Sequence, residues 1–256
     1  MKIIVALKQV AARDSALKLD ASGQWIDESD LAWEINEADA YALEAALQLK
    51  ERQGGEAIAL CAGPARAAQA LREALAKGAD RAIHIEEESL PRFDALAVAR
   101  VLAAAARPEA ADLLLTGLQS DDTGAGQTGV LLAELLGLPH ASLVVRTEAI
   151  GGGLRVKREL EGGWHQFLEM SLPAVLSIQS GAGRLRYATL MGIKKAKTKP
   201  LRRVSAAELG VTLEAGVVAG RLYPPERAKR TVMLAGGARE AASALVEKLR
   251  FEARVL

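Results

Sequence analysis

Short apolar runs alternate with amphipathic stretches as far as Leu136, and this alternation constrains the fold more than any other feature of the sequence. The apolar runs predict strands at residues 2–7, 56–62, 81–86 and 112–116. Apolar residues at helical spacing predict helices at residues 36–52, 65–77, 94–106 and 128–136. Near-continuous apolar runs are typical of strands that helices cover on both faces. The sequence therefore predicts an α/β fold, in which a parallel sheet carries helices on both faces.

Beyond Ser142 the pattern changes to three strand-like segments joined by glycines. The segments span residues 143–148, 154–161 and 166–178, and glycines occupy residues 151–153 and 162–163 between them. Connections of this kind are typical of antiparallel hairpins. We therefore expect an antiparallel extension of the sheet.

The last part of the chain is irregular before it ends in a helix. Residues 181–199 are polar and basic, which predicts an exposed loop, and residues 201–237 show no regular period. Residues 239–254 have the apolar spacing of a final helix. We expect an α/β domain over residues 1–210, which includes the loop at 181–199, and a C-terminal helical arm over residues 211–256 that packs on a partner chain.

Composition argues against several functional classes. The 33 lysines and arginines balance 32 acidic residues, and aromatic residues make up only 4% of the chain, so nucleic-acid binding is disfavoured. One cysteine, Cys61, and three scattered histidines argue against a disulfide framework or a metal site. No stretch approaches the ~20 apolar residues that span a bilayer, and the N-terminal apolar run is too short for a secretory signal. We expect a cytoplasmic protein that is not membrane-inserted.

The loop at residues 117–129 is the strongest candidate site, because it joins a strand to a helix. Helix N-termini at such positions offer free N–H groups to phosphates. Gly124, Gly126 and Gly129 spell G-x-G-x-x-G, but the strand ends about seven residues earlier and Asp121 and Asp122 intervene. A standard dinucleotide fingerprint is therefore disfavoured. A phosphate held near residues 127–129 and a purely structural glycine-rich turn remain as alternatives.

A second candidate lies at residues 35–39, before the first long helix. Asn36 either caps that helix or borders, with Asp39, a nucleotide lying over the ends of the first two strands. Small residues such as Ala6 and Ala62 would form the floor of that pocket, because they let a ligand approach the backbone. Cys61 is interpreted as a buried apolar residue rather than a nucleophile.

A third candidate is the basic segment at residues 184–203, in which cations surround the apolar cluster at residues 187–191. The cations form either a solvated face or a nucleic-acid site, whereas an apolar cluster inside a charged rim is typical of a protein docking site. The sequence offers no arrangement of residues typical of a hydrolase.

Residues 156–177 resemble the signature of the beta subunit of electron-transfer flavoprotein. The agreement includes Arg158, Glu161, the glycine pair at 162–163, Gln166 and Pro173. Arg186-Tyr-Ala-Thr-Leu190, followed by Ile193 and residues 195–197, resembles the family's partner-recognition loop. Residues 5–10, 78–80 and 127–129 also agree, so the resemblance extends to about Gly210.

The resemblance implies a Rossmann-like, adenine-nucleotide-binding domain that pairs with a homologous alpha subunit. Such heterodimers pass electrons from acyl-CoA dehydrogenases and related flavoprotein dehydrogenases to a membrane-bound quinone reductase. The redox FAD lies mainly on the alpha subunit, and the beta pocket holds a structural AMP. In a bifurcating branch that works with NADH, a second FAD takes the place of AMP. We therefore predict an electron-carrier subunit rather than an enzyme.

By position, the resemblance also implies functional residues. The implied cofactor-binding set is Ala6, Asn36, Glu37, Ala38, Asp39, Ala62, Asp122, Thr123, Gly124, Ala125, Gly126, Gln127, Thr128, Gly129, Val130, Leu131, Leu132 and Ala133. The implied partner-docking set is Tyr187, Leu190, Met191, Ile193, Lys194 and Lys195.

Departures from the family pattern leave alternatives open. Glu37 replaces a usual proline and residues 181–184 replace an Asn-Glu-Pro motif, which leaves the pocket rim and the stiffness of the loop open. Gly124 stands where acidic residues are usual, so AMP and a second FAD both remain candidates. The rival hypotheses are a stand-alone nucleotide-binding enzyme with a reactive group near residues 121–123 and a nucleic-acid-binding module that uses residues 184–203.

Overall fold

A nine-stranded sheet forms the centre of the computed structural model, which describes residues 1–224 and 231–256. The described residues form two units, Met1–Arg221 and Leu222–Leu256. The strands of the first unit are β1 (Lys2–Leu7), β2 (Gln9–Ala11), β3 (Trp33–Ile35), β4 (Glu56–Gly63), β5 (Arg81–Glu86), β6 (Leu113–Gly117), β7 (His140–Ile150), β8 (Gly153–Glu159), β9 (His165–Ser171), β10 (Ala174–Ile178) and β11 (Leu201–Val204). Its α-helices are α1 (Glu37–Gln53), α2 (Ala68–Lys77), α3 (Ala95–Ala106), α4 (Thr128–Leu136) and α5 (Leu190–Ala196).

The sheet has the strand order β11-β5-β4-β1-β6-β10-β7-β8-β9, and its strands from β11 to β7 are parallel. The chain runs from β1 to β4 and β5 on one side, and then returns to β6 on the other side of β1. The carboxyl ends of β1 and β6 therefore border a topological switch point, where ligands bind in open α/β sheets.

Side chains of the parallel strands alternate between two apolar layers, as the strand period requires. Ile3 and Val5 pack with α1 and α2 on one face of the sheet. Ile4 packs on the other face with Leu102 of α3 and Leu132 of α4. Because both faces are covered, the apolar runs of β1, β4 and β6 are buried almost throughout. The predicted α/β fold with a parallel sheet is thus confirmed.

The predicted single strand at 166–178 is wrong. It divides at the cis Leu172–Pro173 peptide into β9, which pairs antiparallel with β8, and β10, which lies parallel between β6 and β7. All five residues of β10 are buried, as in a central strand. The extension β7-β8-β9 is antiparallel, as predicted.

Two segments predicted to be irregular contain regular structure. Helix α5 lies within the predicted loop at 181–199, and β11 lies within residues 201–237 and pairs parallel with β5. The helix has only seven residues, and two of the four residues of β11 are exposed, so neither segment shows a clear period in the sequence. The small antiparallel pair β2–β3 also carries no sequence signal that we recognised.

The second unit contains α6 (Ala238–Glu247), followed by a π-helical turn at Lys248–Glu252. The α-helical part of the predicted helix at 239–254 therefore ends at Glu247. The apolar residues Leu245, Val246 and Phe251 of this unit are exposed. The predicted arm at 211–256 includes residues 225–230, which lie outside the described residues, and its boundary at 210 stays a prediction. No helix within the described part of the chain has the length and apolar character to cross a membrane.

The central position of β10 predicts that a smaller side chain in this strand lowers the stability of the fold. Leu176 is fully buried between Leu115 of β6 and Ala141 of β7. Leu176→Ala should lower the free energy of unfolding by about 2–5 kcal/mol, because it removes buried methyl groups and leaves a cavity. Urea unfolding followed by circular dichroism measures this loss. Leu160→Ala, at an exposed position, is the control and should change the free energy by less than about 0.5 kcal/mol. Equal effects of the two substitutions would contradict the placement of β10.

Candidate functional site

A cavity of about 200 Å³ opens at the carboxyl ends of β1, β4 and β6, at the topological switch point of the sheet. Ala6 of β1 and Ala62 of β4 line its floor, together with Gly63 and Gly117 at the strand ends. These small residues leave the backbone accessible to a ligand. The cavity thus lies where the alternating pattern of strands and helices leads us to expect a ligand.

The carboxylate of Asp39 joins three elements at the base of the cavity. It stands in the first turn of α1, where its Oδ2 accepts a hydrogen bond from the Lys8 N–H at 2.7 Å and its Oδ1 accepts one from the Gly117 N–H at 2.9 Å. Burial raises the pKa of the Asp39 carboxyl to about 7, although the two N–H donors oppose this shift. Asp39 therefore holds the ends of β1 and β6 against the start of α1.

Gly117 is required at this contact. A Cβ atom at residue 117 would collide with the Asp39 carboxylate and with the backbone of α1. Glycine is the residue that lets a strand end and a helix N-terminus approach this closely.

Asn36 precedes α1, but its side chain does not cap that helix. Its Nδ2 donates to the Gln119 carbonyl at 3.0 Å, and its Oδ1 accepts from the Asp121 N–H at 2.9 Å. The residue is 1% exposed. Capping by Asn36, one of the two alternatives for this residue, is therefore wrong. Asn36 instead fixes the loop between β6 and α4 to the start of α1.

Cations balance the two aspartates of that loop. Lys8 Nζ lies 2.7 Å from Asp122 Oδ1, and Arg13 Nη2 lies 3.3 Å from Asp121 Oδ1. Burial opposes ionisation of Asp122, but the Lys8 ammonium and the hydrogen bonds from Ser120 and Thr123 together outweigh it and lower the pKa of this carboxyl below its usual value. Both carboxylates thus help to hold the loop. Lys8 pairs with Asp122, whereas Arg13 is shared between Asp121 and Glu37.

The structure brings most of the predicted binding residues to the cavity. Those that line it are Ala6, Asn36, Asp39, Ala62, Asp122, Thr123, Ala125, Gly126, Gln127 and Thr128. Gly124 and Gly126 adopt positive φ angles of 62° and 63°, which glycine favours and which turn the loop toward α4.

The other predicted binding residues lie outside the cavity lining. These are Glu37, Ala38, Gly124, Gly129, Val130, Leu131, Leu132 and Ala133. Leu132 and Ala133 belong to the apolar core. A Cβ atom at Gly129 would collide with the hydroxyls of Ser177 and Thr116, so this glycine allows α4 to pack on the sheet.

Several residues that line the cavity were missed by sequence reasoning. The Arg66 guanidinium stacks over Trp33 at 3.3 Å from the ring centroid and pairs with Glu28 at 3.1 Å. Trp25 and Phe93 also line the cavity. These residues come from β3 and the segment before it, and from the connections after β4 and β5. Folding alone brings these segments together, and no motif in the sequence marks them.

Cys61 precedes Ala62 in β4 but is not among the residues that line the cavity. Cys61 is fully buried, as predicted, and burial raises the pKa of its thiol to about 12. In residues 1–224 and 231–256, no group of three or more His, Cys, Asp or Glu side chains has the geometry to hold a metal ion. Thr128, the first residue of α4, lines the cavity beside Gly126 and Gln127, and N–H groups at a helix N-terminus bind anions.

A separate apolar surface surrounds α5. Tyr187, Leu190, Met191 and Ile193 are 89%, 88%, 62% and 46% exposed, respectively. Lys194 and Lys195 occupy the last turn of the same helix. We call residues 187–195 the docking segment. The structure therefore groups all the predicted docking residues on one short helix and its N-terminal flank.

Comparisons with known proteins agree with this architecture. Residues 24–209 match the family model described as the electron transfer flavoprotein domain. The chain is 37% identical to an electron transfer flavoprotein subunit beta from Methylophilus methylotrophus, over 96% of this chain and 97% of that relative. It is 33% identical to the subunit beta of Bacillus subtilis, over the full length of both chains. It is 36% identical to the subunit beta of Sus scrofa, over 100% of this chain and 99% of that relative.

The raised pKa of Asp39 predicts a pH-dependent stability. Between the ordinary value of 3.8 and about 7, the folded chain holds a proton on Asp39 that the unfolded chain has lost, so this group contributes less stability as pH rises. Asp39→Asn keeps the shape but cannot titrate. The loss of unfolding free energy in Asp39→Asn should therefore be larger near about pH 4.5 than above about pH 7. Urea unfolding of both proteins across this range measures the difference. A loss that does not change with pH would contradict the assignment.

Proposed function

The chain belongs to the electron transfer flavoprotein family as a beta subunit, and from this membership we propose that it is the non-catalytic half of a heterodimeric electron carrier. The family implies a flavin and an alpha subunit as partner. In the proposed heterodimer, the redox FAD lies mainly on the alpha subunit and supplies the electron-accepting chemistry. This chain contributes a nucleotide pocket, a scaffold and a docking surface, and the heterodimer works in the cytoplasm.

We propose AMP as the ligand of the cavity, and the observation that carries this proposal is the position of the α4 N-terminus at the cavity rim. Thr128, the first residue of α4, lines the cavity together with Gly126 and Gln127, and N–H groups at a helix N-terminus suit a phosphate. Ala6 and Ala62 leave room for a nucleoside over the strand ends. Asp122 is paired with Lys8, so the negative charge of this carboxylate would repel the phosphate less.

One observation favours a second FAD as the alternative ligand. The cavity extends beyond the implied AMP-binding residues to Trp25, Trp33, Pro91 and Phe93. Aromatic and apolar side chains of this kind suit a flat ring system larger than adenine. A beta subunit that holds FAD there would belong to the bifurcating, NADH-linked branch.

The docking segment is the proposed contact with acyl-CoA dehydrogenases and related flavoprotein dehydrogenases. Leu190 projects from α5 with 88% of its surface exposed, and lysines follow it on the same helix. An apolar residue inside a basic rim suits an apolar pocket that acidic residues surround. The electrons would then pass through the alpha flavin to a membrane-bound quinone reductase.

Identifying the extracted ligand tests the proposed pocket. The heterodimer, purified with its alpha subunit, should be yellow and should release AMP on denaturation, as measured by mass spectrometry. Ala62→Leu, which enlarges a side chain on the cavity floor, should lower the AMP content of the heterodimer, whereas Ala207→Leu, at an exposed position, should not. Release of two FAD per heterodimer would select the bifurcating branch.

A nucleotide-free, colourless chain that is stable alone would contradict both forms of the proposal. Turnover of a substrate by this chain without a partner would favour the stand-alone enzyme, and salt-sensitive binding of DNA or RNA would favour the nucleic-acid module.

The docking proposal predicts a kinetic effect of Leu190→Ala. Burial of a leucine side chain contributes ~1.5–3 kcal/mol, so its loss should raise the KM of the heterodimer for a reduced acyl-CoA dehydrogenase about tenfold or more. The flavin content should not change. Val217→Ala, at another exposed apolar residue, is the matched control and should leave KM unchanged. Equal KM values for the parent protein and Leu190→Ala would remove Leu190 from the docking surface.

A further inference from the structure

Side chains from both flanks of α5 fasten the docking segment to α1 and α2. Arg186 precedes the segment, Gly192 lies within it, and Lys199 follows it. Each of the three makes a contact with a different part of the helical layer. Ala196 at the end of α5 is buried in the core, whereas Tyr187, Leu190 and Met191 are exposed. The direction of Leu190 therefore depends on the contacts that hold both ends of α5.

Arg186 makes the strongest of these contacts, because it lies between two glutamates of α1. Its Nε and Nη2 atoms bind the Glu44 carboxylate at 2.8 and 3.1 Å, and its Nη1 atom binds Glu51 Oε1 at 2.6 Å. The side chain of Glu44 is 8% exposed, so it needs this cation. A planar guanidinium with several donors fixes direction as well as distance.

Gly192 brings α5 against α2. A Cβ atom at this position would collide with the Ala76 carbonyl near the end of α2. The Thr189 hydroxyl accepts the Gly192 N–H at 3.0 Å and caps the helix. The first turn of α5 therefore lies directly on the last turn of α2.

Two cations hold the chain that follows the segment against α2, one from each side of the contact. Lys199 Nζ donates to the Leu75 and Ala79 carbonyls at the end of α2, at 2.9 and 2.5 Å. In return, Arg72 of α2 donates to the Ala196 and Lys199 carbonyls, at 2.7 and 3.1 Å. Cations at helix C-termini satisfy carbonyls that have no intrahelical partner.

We infer that Arg186 is a positioning residue for docking, which holds the docking segment in its partner-binding orientation before the partner arrives. The inference rests on the proposed docking function. A surface that is ordered in advance loses less conformational freedom on binding than a mobile one. Since Leu190 itself is exposed, loss of the Arg186 contacts would leave Leu190 chemically intact but no longer fixed in direction.

Steady-state kinetics of the heterodimer with a reduced acyl-CoA dehydrogenase test this inference. Arg186→Gln should raise KM about three- to tenfold, as expected when a few side chains must be ordered on binding, with kcat at saturation and flavin content unchanged. Arg186→Lys keeps the positive charge but lacks the planar guanidinium. Its KM should lie between those of the parent protein and Arg186→Gln. Glu51→Gln, which removes only the more exposed partner, should shift KM in the same direction. It replaces Arg186→Gln as the test if the heterodimer with Arg186→Gln fails to assemble.

Arg81→Gln is the matched control. Arg81 also lies between two glutamates, Glu56 and Glu109, but it contacts neither α1 nor the docking segment. The Arg81→Gln substitution should leave KM unchanged. Hydrogen exchange gives an independent readout, because the Gly192 and Ile193 N–H groups both bond to Thr189 and should exchange faster in Arg186→Gln but not in Arg81→Gln.

The outcomes separate this inference from the proposed function. An unchanged KM in Arg186→Gln, or an equal rise in Arg81→Gln, overturns the positioning role while Leu190→Ala still raises KM. If Leu190→Ala also leaves KM unchanged, the docking function itself is wrong, and the positioning role falls with it. A rise in KM confined to the Arg186 and Glu51 variants supports the inference.

Discussion

The buried carboxylate of Asp39 is the interaction on which the ligand cavity depends. At the switch point, the ends of the parallel strands carry backbone N–H groups that need hydrogen-bond acceptors. A cavity remains there only if the acceptor does not itself occupy the space. Asp39 accepts from the N–H groups at the ends of β1 and β6 and anchors them to the first turn of α1. The gap beyond these strand ends therefore stays open, and the helix dipole of α1 favours the acceptor that holds it.

Charge compensation within the chain gives the loop above this cavity its shape. Asn36 holds the backbone of the loop, and Lys8 and Arg13 pair with its two aspartates. Such contacts order a surface loop without the help of a ligand, because each acidic group already has a cation close by. A nucleotide would then meet a rim that is formed in advance, which reduces the entropy lost on binding.

The sequence was sufficient for the elements whose periodicity comes from burial on two faces. The strands β1, β4, β5 and β6 are recognisable because helices on both sides demand apolar residues throughout. By contrast, β10 was joined to β9 because no local signal tells a central parallel strand from the end of a hairpin. The lining residues Trp33 and Arg66 could not be predicted, since they meet only through packing of distant segments. Asn36 lines the cavity, but its hydrogen-bond partners lie 83 and 85 residues away, which local capping rules cannot reveal.

Helix α1 connects the two surfaces of the first unit to which we assign proposed functions. Its N-terminus carries Asp39 at the cavity, and Glu44 and Glu51 further along hold Arg186 before the docking segment. A helix of 17 residues is about 25 Å long and bends little, so it fixes the spacing between these surfaces. A carrier that brings a partner's redox group toward a flavin needs such fixed spacing more than it needs an acid or a base. One rigid helix thus meets the main structural demand of the proposed function.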